Sequence, residues 1–203
     1  MGTWRSSGTM ILLDQDLDPH PAPSSAARSA LPASPQHRLP SERSLAQFLR
    51  FAQSAARLQG QVTVLLTGDK SIRRLNRQFR GIDKTTDVLS FPTAGDTFPG
   101  IAGDIAISVQ AARRQAIEQG HSLAEEVKVL ILHGLLHLAG YDHQVDDGRM
   151  ERRERLLRRR LSLPQGLIER SSNAPCPILA PAVGRKGGKP QRSTRAPSDR
   201  SQP

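Results

Sequence analysis

Three imidazoles fall within the run HGLLHLAGYDH, at His133, His137 and His143. His133 and His137 are four residues apart, so on a helix both project from one face. Gly140 follows, and glycine accepts the left-handed backbone that ends a helix. The chain can then fold back and present His143 to the same point. Neutral imidazoles bind zinc at about 2.0–2.1 Å, and three protein ligands leave one tetrahedral position open to water. Structural zinc sites are instead closed by four protein ligands. Zinc lowers the pKa of a water bound to it to about 7, which makes hydrolysis feasible at neutral pH. The pattern reads as one catalytic Zn2+ on His133, His137 and His143. The competing reading, satisfied core histidines, suits a lone histidine or an i,i+4 pair better than three with a glycine hinge. The other histidines are His20, His37 and His121.

The HxxxHxxGxxH spacing resembles that of metzincin proteases. Those carry a glutamate directly after the first histidine as general base; here that position is Gly134. The metal geometry is kept while the proton acceptor for peptide hydrolysis is lost. No other general base stands out. Asp104 opens a strand and can hold backbone or a histidine Nδ1, and Asp142 beside His143 can play either part.

The elements that must position these residues are readable from periodicity. Ser41 is a candidate N-cap, after which Leu45, Phe48, Leu49, Ala52 and Ala56 share a helical face that Gly60 ends. Residues 61–67 (QVTVLLT) form a β-rich run between glycines. Asp69 can cap a second helix with Ile72, Leu75, Asn76 and Phe79 inward or near it. Residues 87–91 read as a short strand stopped by Pro92, and 104–109 as another, leading into a helix that ends near Gly120. Ser122 with Glu125 forms a capping box. It opens a strongly apolar helix that carries His133 and His137 and stops at Gly140. A last helix, about 146–161, puts Met150, Leu157 and Leu161 on one stripe. An extra strand is expected within 10–17. Without strict βαβ alternation, the fold class is α+β: a small mixed sheet packed against helices, with the histidine helix buried at the centre.

Composition bounds the rest. The chain has 203 residues, of which 36% are hydrophobic and 3% aromatic, enough for one domain plus tails. Residues 1–40 combine the extra strand with a Pro/Ala/Ser-rich, flexible insertion. Residues 41–163 form the folded domain. Residues 164–203 make a basic, disordered tail. That tail has seven basic residues against two acidic and supplies half of the net charge of +10. It can steer the chain toward RNA or be a solvated tail with no specific role. Cys176 is the lone cysteine, which rules out an internal disulfide and a cysteine metal cluster. No apolar run reaches the length of a membrane span. Asp14, Asp16 and Asp18 beside Met10–Leu13 are unlike a signal peptide. The expectation is a soluble, cytoplasmic protein with no membrane partner.

The run NRQFRGIDKTTDVLSFP at 76–92, with GDI at 103–105 and HGLLHLAGYDH, resembles the YbeY family of bacterial endoribonucleases. The resemblance covers most of 41–163 and neither arm. It implies that the family's zinc ligands fall on His133, His137 and His143, and its functionally important arginine on Arg80. It implies metal-dependent cleavage of single-stranded RNA. The implied roles are maturation of the 3′ end of small-subunit ribosomal RNA and ribosome quality control. The implied partners are rRNA, the small ribosomal subunit and ribosomal proteins, with no DNA. Arg149, Arg152 and Arg153 depart from the acidic residues typical of the family there.

From the residues alone, Arg80 reads as a surface ion pair with Asp83 or Asp87. With the resemblance it reads as a phosphate ligand, since a guanidinium can hold two phosphoryl oxygens. The helix segment 149–160 has seven arginines against two glutamates. It reads either as a solvated face with pairs Glu151–Arg155 and Glu154–Arg158 or as an RNA-backbone contact. Few aromatics argue against a base-stacking platform. Three functions stand: a zinc endoribonuclease, a metal hydrolase of another substrate including peptides, and a non-catalytic ribosome-assembly protein.

Overall fold

A computed structural model of the chain describes residues 9–14, 38–93, 99–143 and 145–165. The elements are β1 (Met10–Leu13), α1 (Glu42–Ala56), β2 (Gln61–Thr67), α2 (Asp69–Arg80), β3 (Val88–Pro92), β4 (Ile101–Ser108), α3 (Val109–Gln119), α4 (Leu123–Leu138) and α5 (Arg149–Arg160). The strands form one four-stranded sheet in the order β1-β2-β4-β3. β1, β2 and β4 run parallel, and β3 pairs antiparallel to β4. The fold is α+β with a mixed sheet, as the pattern of elements predicts. The segments expected as a flexible insertion and a disordered tail lie almost wholly outside the described residues.

Alternation along the strands divides the sheet into two faces. Val62, Val64, Leu66, Ile105 and Ile107 join α1 and α4 in the main core. The opposite face is covered by α2, where Ile72 packs with Leu89 and Ala106. Beside α2 that face stays open as a cleft of about 460 Å³, lined among others by Met10, Leu65, Phe79, Phe91 and Asp104. The register is pinned at Gly103, whose φ is +144° and where a Cβ would stand 2.3 Å from the Phe91 carbonyl oxygen. Only glycine meets both demands.

α4 is the centre of the molecule. Ser122 accepts from Glu125 N at 3.2 Å, and the Glu125 carboxylate accepts from Ser122 N at 2.8 Å, a complete capping box. Every residue from Val129 to Leu138 is buried, the signature of a helix packed on all sides.

Several boundaries differ from expectation for local reasons. α1 ends at Ala56 with Arg57 in the left-handed cap, not at Gly60. α2 is capped by Gly68 without a side-chain bond; Asp69 instead accepts from Ser108 Oγ and Arg114. Phe79 lies at the edge of the sheet face that α2 covers, 49% exposed and edge-on to Phe91 with ring centroids 5.2 Å apart. Pro92 closes β3 rather than stopping short of it, because among the described residues β3 is an edge strand of the sheet. β4 begins at Ile101, three residues earlier than its alternation indicates, because Gly103 interrupts the pattern.

Candidate functional site

The last turns of α4 carry His133 and His137, 1% and 2% exposed, and the following loop returns His143 to them. The return is built by backbone. Gly140 takes φ +84°, Gly140 N donates to the His137 carbonyl at 2.9 Å, and Tyr141 N donates to that of Leu136 at 3.0 Å. One ligand atom from each histidine then lies within 4.8 Å of the others. The ring centroids are 4.7, 5.6 and 5.9 Å apart.

The tautomers follow from the partners. His137 Nδ1 lies 2.9 Å from the Tyr141 carbonyl oxygen, which only accepts, so Nδ1 holds the proton. His133 Nδ1 lies 2.9 Å from Glu154 Oε2. Burial works to raise the Glu154 carboxyl, but the His133 hydrogen bond and the nearby His133 and Arg158 charges outweigh it and hold it below the ordinary carboxylate range. An ionised carboxylate also only accepts. With Nδ1 committed to these partners, each ring in its neutral, metal-binding form offers its Nε2 lone pair toward the same point, the two Nε2 atoms being 3.1 Å apart. Two nitrogens at about 2.0–2.1 Å from one tetrahedral ion stand about 3.4 Å apart. The donor set thus fits a single divalent ion of the zinc type, with a carboxylate and a carbonyl orienting two of its imidazoles.

Glu154 is the residue sequence reasoning misplaced. The pair Glu154–Arg158 was expected on a solvated face; instead both are buried, at 1% and 2% exposure. A signal was present. Glu154 falls four residues after Met150 and three before Leu157, on the apolar stripe itself, and a carboxylate there requires a buried partner. Glu151–Arg155 does form the exposed i,i+4 pair expected of it. Asp104 is not a histidine partner. Its neighbour Ile105 faces α4, so Asp104 points into the cleft on the other side. Asp142 turns the loop through its carbonyl, which accepts from Val145 N at 3.1 Å.

Gly134 has a packing reason. A Cβ there would stand 2.9 Å from both Cδ1 and Cγ2 of Ile105, and Ser90 Oγ donates to the Gly134 carbonyl at 3.4 Å. α4 rests directly on β4 at this point, so a side chain after His133 would require Ile105 to shift.

Arg80 closes α2, on the sheet face opposite α4, half-exposed. Its Nη1 donates to Asn76 Oδ1 at 3.3 Å. Asp83, one of its two expected carboxylate partners, is bound by Arg73 at 2.7 Å. The other, Asp87, accepts from Val88 N and Gln115 Nε2, both at 2.8 Å. Of the three arginines Arg149, Arg152 and Arg153 that follow the histidines, Arg153 donates to the Ala55 carbonyl and ties α5 to α1, and Arg152 donates to that of Asp147. Arg149, Arg155, Arg159 and Arg160 remain exposed. Among the described residues, no helix is long and apolar enough to cross a membrane.

Comparison with known proteins gives one consistent result. The family model described as Endoribonuclease YbeY matches residues 36–162. A protein named Endoribonuclease YbeY from Koribacter versatilis is 56% identical over 132 residues, 65% of this chain and 85% of that one. Its namesake from Solibacter usitatus is 53% identical over 122 residues, 57% of this chain and 80% of that one.

Proposed function

The chain belongs to the YbeY endoribonuclease family, and from that premise we propose that it is a zinc-dependent endoribonuclease. Its metal ligands are His133, His137 and His143. Its substrate is single-stranded RNA, and its role is maturation of the 3′ end of small-subunit ribosomal RNA and ribosome quality control in the cytoplasm. Small-subunit components, ribosomal proteins among them, are its partners. The observation that carries the proposal is the pair of buried imidazoles whose Nδ1 protons are committed to Glu154 and Tyr141, leaving both Nε2 atoms convergent.

When bound, zinc supplies a Lewis acid and lowers the pKa of a coordinated water. The chain's own residues do the rest. Glu154 and the Tyr141 carbonyl orient the ligands. α4, buried along its length, excludes bulk water from their inner side. Arg80, on the face of the sheet opposite α4, binds a backbone phosphate of the RNA, two of whose oxygens a guanidinium can hold. The exposed arginines of α5 attract the backbone electrostatically. The peptidase reading is disfavoured by Ile105, which occupies the space a general-base glutamate at position 134 needs.

The test is incubation of the purified chain with single-stranded RNA, with and without chelator, beside His137→Ala and Arg80→Ala. Chelator and His137→Ala should abolish cleavage, and Arg80→Ala should weaken RNA binding and slow cleavage at subsaturating RNA. Equal rates in the parent and both variants would sink both assignments. Cleavage of casein alone would favour a peptidase. Mapping rRNA 3′ ends in cells lacking the protein tests the maturation role, and unchanged ends would refute it.

A further inference from the structure

We propose that Glu154 is a positioning residue for the metal site and that Arg158 fixes it in turn. The inference rests on the reading that the three histidines hold zinc. Glu154 divides its two oxygens: Oε2 meets His133 Nδ1 at 2.9 Å, and Oε1 meets Arg158 Nη2. The Arg158 guanidinium is anchored as well, through Nη1 to the Pro164 carbonyl at 2.9 Å. Turning the carboxylate would break either the His133 hydrogen bond or the Arg158 ion pair, which holds the His133 ring in its orientation. It also selects the Nδ1–H tautomer, which leaves Nε2 as the ligand atom. Burial of all three groups keeps water from substituting for any of them. Helix α5 supplies its own comparison. Glu151–Arg155 has the same i,i+4 chemistry one turn earlier, but is 39% and 53% exposed and touches no histidine. A helix read as a basic surface thus also forms the outer wall of the metal site.

The experiment measures zinc affinity of the full chain by competition with a chromophoric chelator, and the visible spectrum of the cobalt-substituted protein. Glu154→Gln with Arg158→Met removes both charges together, so neither is left buried alone. That double variant should bind zinc about 10- to 100-fold more weakly and show a changed cobalt spectrum. Glu151→Gln should match the parent in both. A merely structural role for Glu154 would lower the melting temperature and leave affinity and spectrum of the folded protein unmoved, which overturns the proposal. If the double variant does not fold, 15N shifts of the parent's imidazoles decide. A protonated Nδ1 on zinc-loaded His133 supports the proposal, and a protonated Nε2 overturns it. A parent that binds no zinc, or a His137→Ala variant that binds as the parent does, would instead refute the metal reading itself.

Discussion

Gly134→Ala sets two effects of opposite sign against each other. Alanine is favoured over glycine inside a helix by about 1 kcal/mol, so on propensity alone the variant is the more stable protein. The contact argues otherwise. The new methyl would lie 2.9 Å from Ile105 Cδ1, 2.9 Å from Cγ2 and 3.2 Å from Cγ1. Ile105 is fully buried and branched at Cβ, so turning away one branch brings another into the gap. Overpacking of a filled core costs about 1–3 kcal/mol. With three close contacts on a stiff side chain we take the upper half of that range. The net expectation is a loss of about 1–2 kcal/mol. Urea denaturation followed by circular dichroism reads this as a lower midpoint at unchanged slope. Ile105→Ala alone should cost about 2–5 kcal/mol through the cavity it leaves. Combined with Gly134→Ala it should cost less than the sum, because the new methyl occupies part of that cavity. A Gly134→Ala protein more stable than the parent, or strict additivity in the double variant, would refute the claim that Ile105 excludes side chains from position 134.

Zinc at about 100 times its Kd should stabilise the parent by about 2.7 kcal/mol, with no such gain in His143→Ala; thermal melts with and without chelator check this. Ser122→Ala should destabilise by about 1 kcal/mol, read by urea midpoint. The Glu125 carboxyl is held below the ordinary carboxylate range, first by the Ser122 backbone N–H and then by the Ser122 hydroxyl. A depressed carboxylate stabilises the fold above its unfolded pKa, and that contribution is lost as pH falls through the folded one. The gap in stability between the parent and Glu125→Gln should therefore be full at pH 6 and shrink in acid below about pH 4; a gap that widens on acidification would contradict the assignment. Asp87→Ala should cost about 1–3 kcal/mol, since it strands the donors Val88 N and Gln115 Nε2, measured in the same denaturation series.

The helices and strands were legible wherever one physical signal dominated. The Ser122–Glu125 box marked the start of α4, and its strongly apolar composition marked its burial. The three histidines were legible because their spacing is itself the geometry. What failed had competing signals. Gly103 broke the alternation of β4 and hid its first turn of pairing. Glu154 carried a charge on an apolar stripe, and the surrounding arginines made the whole helix read as solvated. The Tyr141 carbonyl that orients His137 belongs to the backbone, which side-chain patterns do not encode. The contact between Gly134 and Ile105 joins residues far apart in sequence, so the reason for glycine there emerges only once α4 lies on β4.

The Gly103–Ile105 segment also sets where the chain tolerates a change in length. Asp104 and Ile105 are neighbours that face opposite sides of one sheet, the first an open cleft and the second the underside of α4. Deleting or inserting a single residue between Gly103 and Ser108 would exchange their faces. A carboxylate would then lie beneath the histidine helix, and an isoleucine would lie in the cleft. Gly103 would also lose its place against the Phe91 carbonyl. Single-residue indels in β4 should therefore disrupt both faces of the sheet together, which makes this strand the part of the domain least able to change length.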